Sequence, residues 1–276
     1  MLDDVIHTAL LEDLGAAQDW TSSLLIDRDH SGNASIVAKQ EGVLAGISVA
    51  KAVFEHVDDR LKLKNRLSDG ARLQPGVCVF EMSGALQSIL TAERTALNFL
   101  QRLSGIATLT SRFVGQVQGT GVTILDTRKT TPGLRELEKQ AVRIGGGDNH
   151  RFGLYDMILI KENHIQAAGS IPAAVTRIRE ALAERHLSLR IEIEVRTLDE
   201  LEIVLPLNVD RVMLDNMSVV EIKEAVKRVC SGVELEVSGG VTLETVRNLA
   251  ETGVDFISVG ALTHSAPAMD FSLLVD

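Results

Sequence analysis

The sequence predicts an α/β chain whose longer, C-terminal part is a β/α barrel, incomplete or open. Three observations carry this reading. After residue 121, strand-like apolar runs alternate with helix-like stretches. The last four runs start at residues 190, 211, 234 and 256, spacings of 21, 23 and 22 that match consecutive β-α units of a parallel sheet or barrel. The residue at or just past the end of each run is polar or glycine: Asp126, Lys161, Glu194, Asp215, Ser238 and Gly260. Catalytic groups of β/α barrels sit on that face, where the βα loops converge. Six strands are countable and eight are not, so a complete barrel is not supported. An open doubly wound sheet is the alternative.

Taken in order, residues 3–13 place apolar side chains at helical spacing up to Gly15. Ala34–Lys39 alternates like a strand, and Ile47–Val57 returns to helical spacing. Leu61–Leu67 is a period-2 strand with one wet face. Pro75-Gly76 marks a turn before a strand at Val77–Met82. From Leu86 to about Val117 the pattern is helical, with a break expected near Ser104-Gly105. The six later strands are Val122–Leu125, Met157–Ile160, Arg190–Val195, Arg211–Leu214, Glu234–Val237 and Phe256–Val259. Helices are expected at Ile171–Arg185, Leu198–Leu205, Val219–Val229 and Leu243–Glu251.

Composition narrows the function. The chain has 276 residues and a formal charge of −10, yet residues 91–164 hold 10 Lys+Arg against 7 Asp+Glu. An acidic protein that gathers cations in its middle points to a pocket for a small anion; nucleic acid would want a broad basic surface. Aromatics are 3%, too few for base-stacking platforms. Cys78 and Cys230 lack metal-ligand spacing and imply no disulfide framework, which suits a reducing cytosol. Met1-Leu-Asp-Asp-Val-Ile-His7 reads as no secretion signal, and no apolar run approaches the ~20 residues of a membrane span. The expectation is a cytoplasmic protein.

The cations crowd residues 126–164: Arg128, Lys129, His150, Arg151, Lys161 and His164, with Gly145-Gly146-Gly147 between them. Arg128 and Lys129 follow a buried strand and can clamp a carboxylate or phosphate, Arg by paired hydrogen bonds and Lys as a point charge. The bland alternative is a solvated loop pair. The three glycines serve as a helix C-cap and as a tight loop aiming His150 and Arg151; no P-loop follows. Lys161, beyond four apolar residues, points into the site or snorkels outward. His164 is a weaker candidate, with capping of the next helix as its alternative role. Glu192 and Glu194 share one face of a strand. In a barrel they sit inside and require partners or a metal; on an edge strand they would be wet. Asp215 ends the next strand, and carboxylates on adjacent strand ends suit Mg²⁺ or sugar hydroxyls. Ser238-Gly239-Gly240 and Gly260-Ala261 each join a strand to a helix or turn, and such junctions bind phosphate through backbone N–H groups. Arg94 and Arg102, read alone, are surface arginines.

These segments together resemble the quinolinate phosphoribosyltransferase family over essentially the whole chain. The likeness runs through Glu12-Asp-Leu-Gly15 with Asp19 and Thr21, Gly42-Val-Leu-Ala-Gly46, Glu93-Arg-Thr-Ala-Leu-Asn98 and Ser104-Gly-Ile-Ala-Thr108. It continues through the Asp126–Gly133 and Gly145–Gly153 segments, Lys161-Glu-Asn-His164, Glu192–Val195, Met213-Leu-Asp-Asn-Met217, Ser238-Gly-Gly-Val241 and Ser258-Val-Gly-Ala-Leu-Thr-His264. Their order and spacing are specific in combination.

The resemblance implies an N-terminal α/β sandwich domain over residues 1–105 and an open β/α barrel over 106–264. Residues 265–276 are a candidate return to the first domain, since Phe271–Val275 can form a strand. It implies transfer of phosphoribosyl from phosphoribosyl pyrophosphate (PRPP) to quinolinate with decarboxylation, and Mg²⁺ as cofactor. It implies a homodimer, or a higher homo-oligomer, in which Arg94 enters the partner's site. Carried over by position, Arg94, Thr127, Arg128, His150 and Arg151 bind quinolinate, and Lys129 and Lys161 lie between it and the phosphates. Glu194 and Asp215 take the ribose hydroxyls and Mg²⁺. Ser238, Gly239, Gly240, Gly260 and Ala261 hold the 5′-phosphate. No nucleic-acid or membrane partner is implied.

Three alternatives compete. The common phosphoribosyltransferase signature is absent, since Asp58-Asp59 is followed by Arg60-Leu61 and no Thr-Gly-rich loop. An aldolase-like barrel would use Lys161 as a Schiff-base nucleophile. A non-catalytic relative, of the molybdate-operon kind, would lack the Lys161-Glu162 pair present here.

Overall fold

The computed structural model describes residues 2–229 and 232–276. Cys230 lies outside the described residues. The chain divides into two compact units, one of residues 1–111, 130–146 and 261–276, the other of residues 112–129 and 147–260.

The first unit contains α1 (Leu2–Leu14), α2 (Trp20–Leu25), β1 (Ser31–Ala38), β2 (Gly42–Val43), α3 (Ile47–Val57), β3 (Lys62–Asn65), β4 (Arg72–Leu73) and β5 (Cys78–Ala85). Then α4 (Leu86–Gln116) runs on into the second unit. Its sheet has the order β12-β1-β5-β3, where β12 is Phe271–Val275. Alternation sets the register: Ile36 pairs with Phe80 on one side and Leu273 on the other, so apolar residues stack on one face. Against that face α3 buries Val49, Ala50, Val53 and Phe54, and the Phe54 and Phe80 rings stack at 5.9 Å. The C-terminal strand expected at Phe271–Val275 is therefore present, antiparallel to β1.

One expectation fails here. The helix expected to break at Ser104-Gly105 is continuous from Leu86 to Gln116. A Cβ on Gly105 would stand 2.1 Å from the Pro267 carbonyl oxygen. The glycine serves a close backbone approach, which sequence cannot distinguish from a helix breaker.

The second unit is built from β6 (Thr123–Leu125), β7 (Ile158–Ile160), α6 (Glu162–Ala168), α7 (Ile171–Glu184), β8 (Ile191–Val195), α8 (Leu198–Val204), β9 (Arg211–Asp215), α9 (Val219–Arg228), β10 (Glu234–Ser238), α10 (Val246–Ala250) and β11 (Phe256–Ser258). Between β6 and β7 in sequence, α5 (Arg135–Ile144) belongs to the first unit, as does α11 (Ala261–His264) after β11. All six strands anticipated from the apolar runs are present and parallel, in the order β6-β11-β10-β9-β8-β7. β6 and β7 end that order, so the barrel is open. The chain at Asp148 partly covers the β6 edge through a bridge to Leu125.

Parallel strands covered on both faces are apolar throughout unless polar residues have a use. Here Ile191, Ile193 and Val195 occupy one face of β8, and Val212 and Leu214 one face of β9. The opposite face carries Glu192, Glu194, Arg211, Met213 and Asp215. That polar interior is the first sign of a site.

Candidate active site

The second unit holds a cavity of about 560 Å³ at the C-terminal ends of its strands. Thr127, Arg128, Lys129, His150, Arg151, Lys161, Glu194, Asp215, Ser238, Gly239 and Gly240, all singled out from the sequence, line it. Leu159, Met213, Asn216 and Ser258 complete the lining. Gly260 and Ala261, which come shortly after β11, are not among the lining residues. Arg94 is exposed on α4, in the first unit. A cavity of about 180 Å³ within the first unit is lined by Asp13, Thr95, Asn98, Phe99 and Arg102 among others, and gathers no comparable set of cations.

Each wall has a local cause. Asp126, just past β6, is fully buried and accepts from the His150 N–H at 2.9 Å and Asn149 Nδ2 at 2.6 Å. The neighbouring Asp148 N–H donates to Ile124 O at 2.8 Å. Asp126 therefore sets the path of the His150-Arg151 segment instead of serving as a site group. Thr127 Oγ1 accepts the Lys129 N–H at 3.1 Å and shapes the turn that carries Arg128 and Lys129. Arg151 donates to Met157 O at 3.3 Å, and burial followed by the nearby charge of Arg128 lowers its guanidinium below the usual range.

Gly145 closes α5, its N–H bonding Ala141 O, and Gly146 takes φ +92°, so the C-cap reading of the triplet holds. Lys161 follows β7, and its Nζ reaches Glu194 Oε2 at 2.6 Å. His164 Nδ1 accepts the Lys161 N–H at 2.9 Å, so His164 caps α6. Gly239 takes φ +98°, which favours glycine, and a Cβ there would also meet the Asn216 side chain, with Oδ1 at 2.2 Å.

Below the mouth lies a buried polar layer. Glu192 is sealed, so β8 is no wet edge strand. His150 Nε2 stands 3.0 Å from Glu192 Oε2 and 3.4 Å from Glu236 Oε2. Arg211 reaches Glu236 at 2.9 Å and Glu234 at 2.9 Å, and its guanidinium lies 3.9 Å above the Phe256 ring. Burial pulls the His150 imidazole down, but Glu192 and Glu236 outweigh it and lift the ring to about 9. The Arg151 N–H, 2.7 Å from Nδ1, acts the other way, since only an unprotonated Nδ1 can accept it. The carboxylates prevail because two acids stand at Nε2, 3.0 and 3.4 Å away, against one amide N–H at Nδ1. Burial raises Glu192; Glu236 is also penalised by burial, but His150 and Arg211 bring it below the usual range. His150, Glu192 and Glu236 converge closely enough for a metal ion. Arg211 already supplies the positive charge there, so an ion-pair network describes the cluster better.

At the mouth, Arg196 extends between Glu162 at 2.5 Å, Asp215 at 3.6 Å and Glu194 at 3.9 Å. Sequence reading missed Arg196, Arg211 and Glu236. The alternation of charged and apolar residues in Arg211–Asp215 and Glu234–Ser238 repeats the pattern that revealed Glu192, and would have found the latter two. Arg102 was misread as a surface arginine. It pairs with buried Glu138 at 2.9 Å and donates to Ala266 O and Thr263 O, fixing α4, α5 and the C-terminal segment within the first unit.

Comparison with known proteins agrees with this geometry. Residues 106–274 match the quinolinate phosphoribosyl transferase C-terminal domain, and residues 19–104 the N-terminal domain. The chloroplastic carboxylating nicotinate-nucleotide pyrophosphorylase of Arabidopsis thaliana is 44% identical, over 100% of this chain and 83% of that protein. A probable counterpart from Bacillus subtilis is 42% identical, over 99% and 92%. The crystal structure of NadC from Streptococcus pyogenes superposes with a TM-score of 0.94 at 40% identity, covering 100% of this chain and 96% of that one. The Ehrlichia chaffeensis nicotinate-nucleotide pyrophosphorylase gives 0.95 at 40% identity, over 100% and 99%. With both domain models matched in order and a cation-lined cavity at the strand ends, the chain belongs to the quinolinate phosphoribosyltransferase family.

Proposed function

We propose that this protein transfers phosphoribosyl from PRPP to quinolinate, giving nicotinate mononucleotide, pyrophosphate and CO₂. The observation that carries this is the single cavity in which Arg128, Lys129, His150, Arg151 and Lys161 face Glu194, Asp215 and the Ser238–Gly240 loop. A dianionic ring needs several cations, and a phosphoribosyl donor needs both anion-binding loops and carboxylates for its hydroxyls.

Arg128, His150 and Arg151, with Thr127 beside them, form the wall for the quinolinate carboxylates. Lys129 and Lys161 stand between that wall and the phosphates. Glu194 and Asp215 receive the ribose hydroxyls and favour positive charge at C1. Ser238, Gly239 and Gly240 take the 5′-phosphate, with Gly260 and Ala261 extending that loop set. The pyridine nitrogen bonds to C1 as the C1–O bond to pyrophosphate breaks, leaving a cationic ring. That cation stabilises the electron pair left when the adjacent carboxylate departs as CO₂, and a proton takes its place. The protein contributes positioning and placed charge. Glu194 and Asp215, hard oxygen donors on adjacent strands, suit Mg²⁺; bound there, it would supply charge to the phosphates.

The active form is a homodimer, with Arg94 of a second protomer reaching the quinolinate carboxylates. No described helix is long and apolar enough to cross a membrane. The cytoplasm is the proposed setting because Cys78 and Cys230 imply no disulfide framework. The test is to incubate the pure protein with Mg²⁺, PRPP and quinolinate and follow nicotinate mononucleotide by mass. Product from quinolinate but not from nicotinate supports the reading. Product from nicotinate alone would overturn it.

A further inference from the structure

The floor of the cavity carries more charge than substrate contact explains. Glu192 and Glu236 are 0% exposed, Arg211 is 7% and His150 8%. A carboxylate sealed in this way costs several kcal/mol unless a cation compensates, and apolar side chains would fill the same volume at less cost. Arg211 compensates Glu236. Among the described residues, the ion partner of Glu192 is His150, through Nε2.

Protein groups approach the ring at both nitrogens. Nε2 carries a proton in the imidazolium and also in the neutral tautomer that accepts at Nδ1. In either form Nε2 stands within ion-pair distance of the acid pair, 3.0 Å from Glu192 and 3.4 Å from Glu236, without an aligned hydrogen bond. Nδ1 lies 2.7 Å from the Arg151 amide nitrogen. Both nitrogens therefore lie close to protein groups, and the remaining ring atoms are carbons. The Arg151 amide, the next peptide along, is the group that the ring touches, while the Arg151 guanidinium is pinned on Met157 O.

We propose that Glu192 and Glu236 are positioning residues for the carboxylate-binding wall: they hold the His150 ring by its Nε2 edge, and the ring fixes the Arg151 segment against the bound dicarboxylate. His150 is then itself a positioning residue. This rests on the reading of the cavity as a quinolinate and PRPP site.

The test uses the full chain with Glu192→Gln, which removes the charge, and Glu192→Leu, which replaces it with apolar volume. Calorimetry measures binding of pyridine-2,3-dicarboxylate and of PRPP with Mg²⁺. Dicarboxylate affinity is expected to fall about tenfold to a hundredfold in both variants, the cost of a misplaced binding group, with PRPP affinity within about twofold. A cluster that only filled the barrel would leave the folded leucine variant binding dicarboxylate like wild type, and that result overturns the proposal. The ring itself is read in the wild type by ¹⁵N NMR of histidine-labelled protein, with His150 identified by its loss in His150→Gln. Nε2 protonated through neutral pH supports the proposal, and a bare Nε2 overturns it, whether or not the variants fold. Wild type that binds neither substrate would count against the functional reading, while the NMR result still decides this one.

Discussion

Glu192 and Glu194 stand two residues apart on the same face of β8, yet one is sealed in the floor and the other opens on the mouth. The floor is closed: Glu192, Glu236, Arg211 and His150 compensate one another with little access for water. The mouth is open: Lys161 and Arg196, which reach Glu194 and Asp215, keep 46% and 49% of their side-chain surface exposed. The same residue types thus serve two ends. Buried pairs are expensive to break and hold geometry. Pairs whose cation is half-exposed cost less to break, so they can release their carboxylates to a ligand or cation.

Substitutions can break or sharpen that contrast, and the largest effect belongs to the mouth. Lys129→Ala should abolish turnover, a loss of about a thousandfold or more for a placed charge, while melting stays near wild type. Wild-type-like kinetics would sink its assigned role. A mixture of inactive Arg94→Ala and Lys129→Ala proteins should regain activity, up to about a quarter of wild type if protomers exchange freely in a symmetric dimer. Continued inactivity after exchange, checked by labelled protomers, would remove Arg94 from the partner's site.

Stability should respond in the opposite place. Arg211→Ala leaves Glu236 buried beside fewer cations and should cost about 3–5 kcal/mol in urea unfolding. A cost below about 1 kcal/mol would mean that water already reaches the floor. The His150 ring, lifted to about 9, binds its proton more tightly in the folded than in the unfolded chain. Its contribution is therefore full below about pH 6.5 and is lost as pH rises through about 9. Between those values wild type should lose more melting temperature than His150→Gln; equal losses would contradict the raised imidazole. The smallest effect is Arg196→Ala, expected to change stability by less than about 1 kcal/mol because the arginine is half-exposed and stands 3.6 and 3.9 Å from the more buried Asp215 and Glu194.

Much of this architecture is legible in the sequence. The apolar runs locate all six parallel strands because buried strands need such runs, and their polar ends mark the cavity because βα loops converge there. Glu192 is legible from the two-residue period alone. What escapes depends on partners distant in sequence. Arg102 looks like a surface residue until Glu138 and Thr263 arrive beside it. Gly105 looks like a helix break until Pro267 packs on it. Asp126 looks like a site group, and becomes a scaffold for His150 once the Asp148 segment lies along β6. Local pattern reports which face a residue takes, not which distant chain meets it there.

On the proposed function, one cation-lined cavity joins phosphoribosyl transfer to loss of a carboxylate. The most direct test of that coupling uses quinolinate labelled in the 2-carboxyl group. Labelled CO₂ should appear only when PRPP and Mg²⁺ are present, in step with nicotinate mononucleotide, and should vanish in Lys129→Ala. Release of CO₂ without PRPP, or mononucleotide that retains the label, would contradict it.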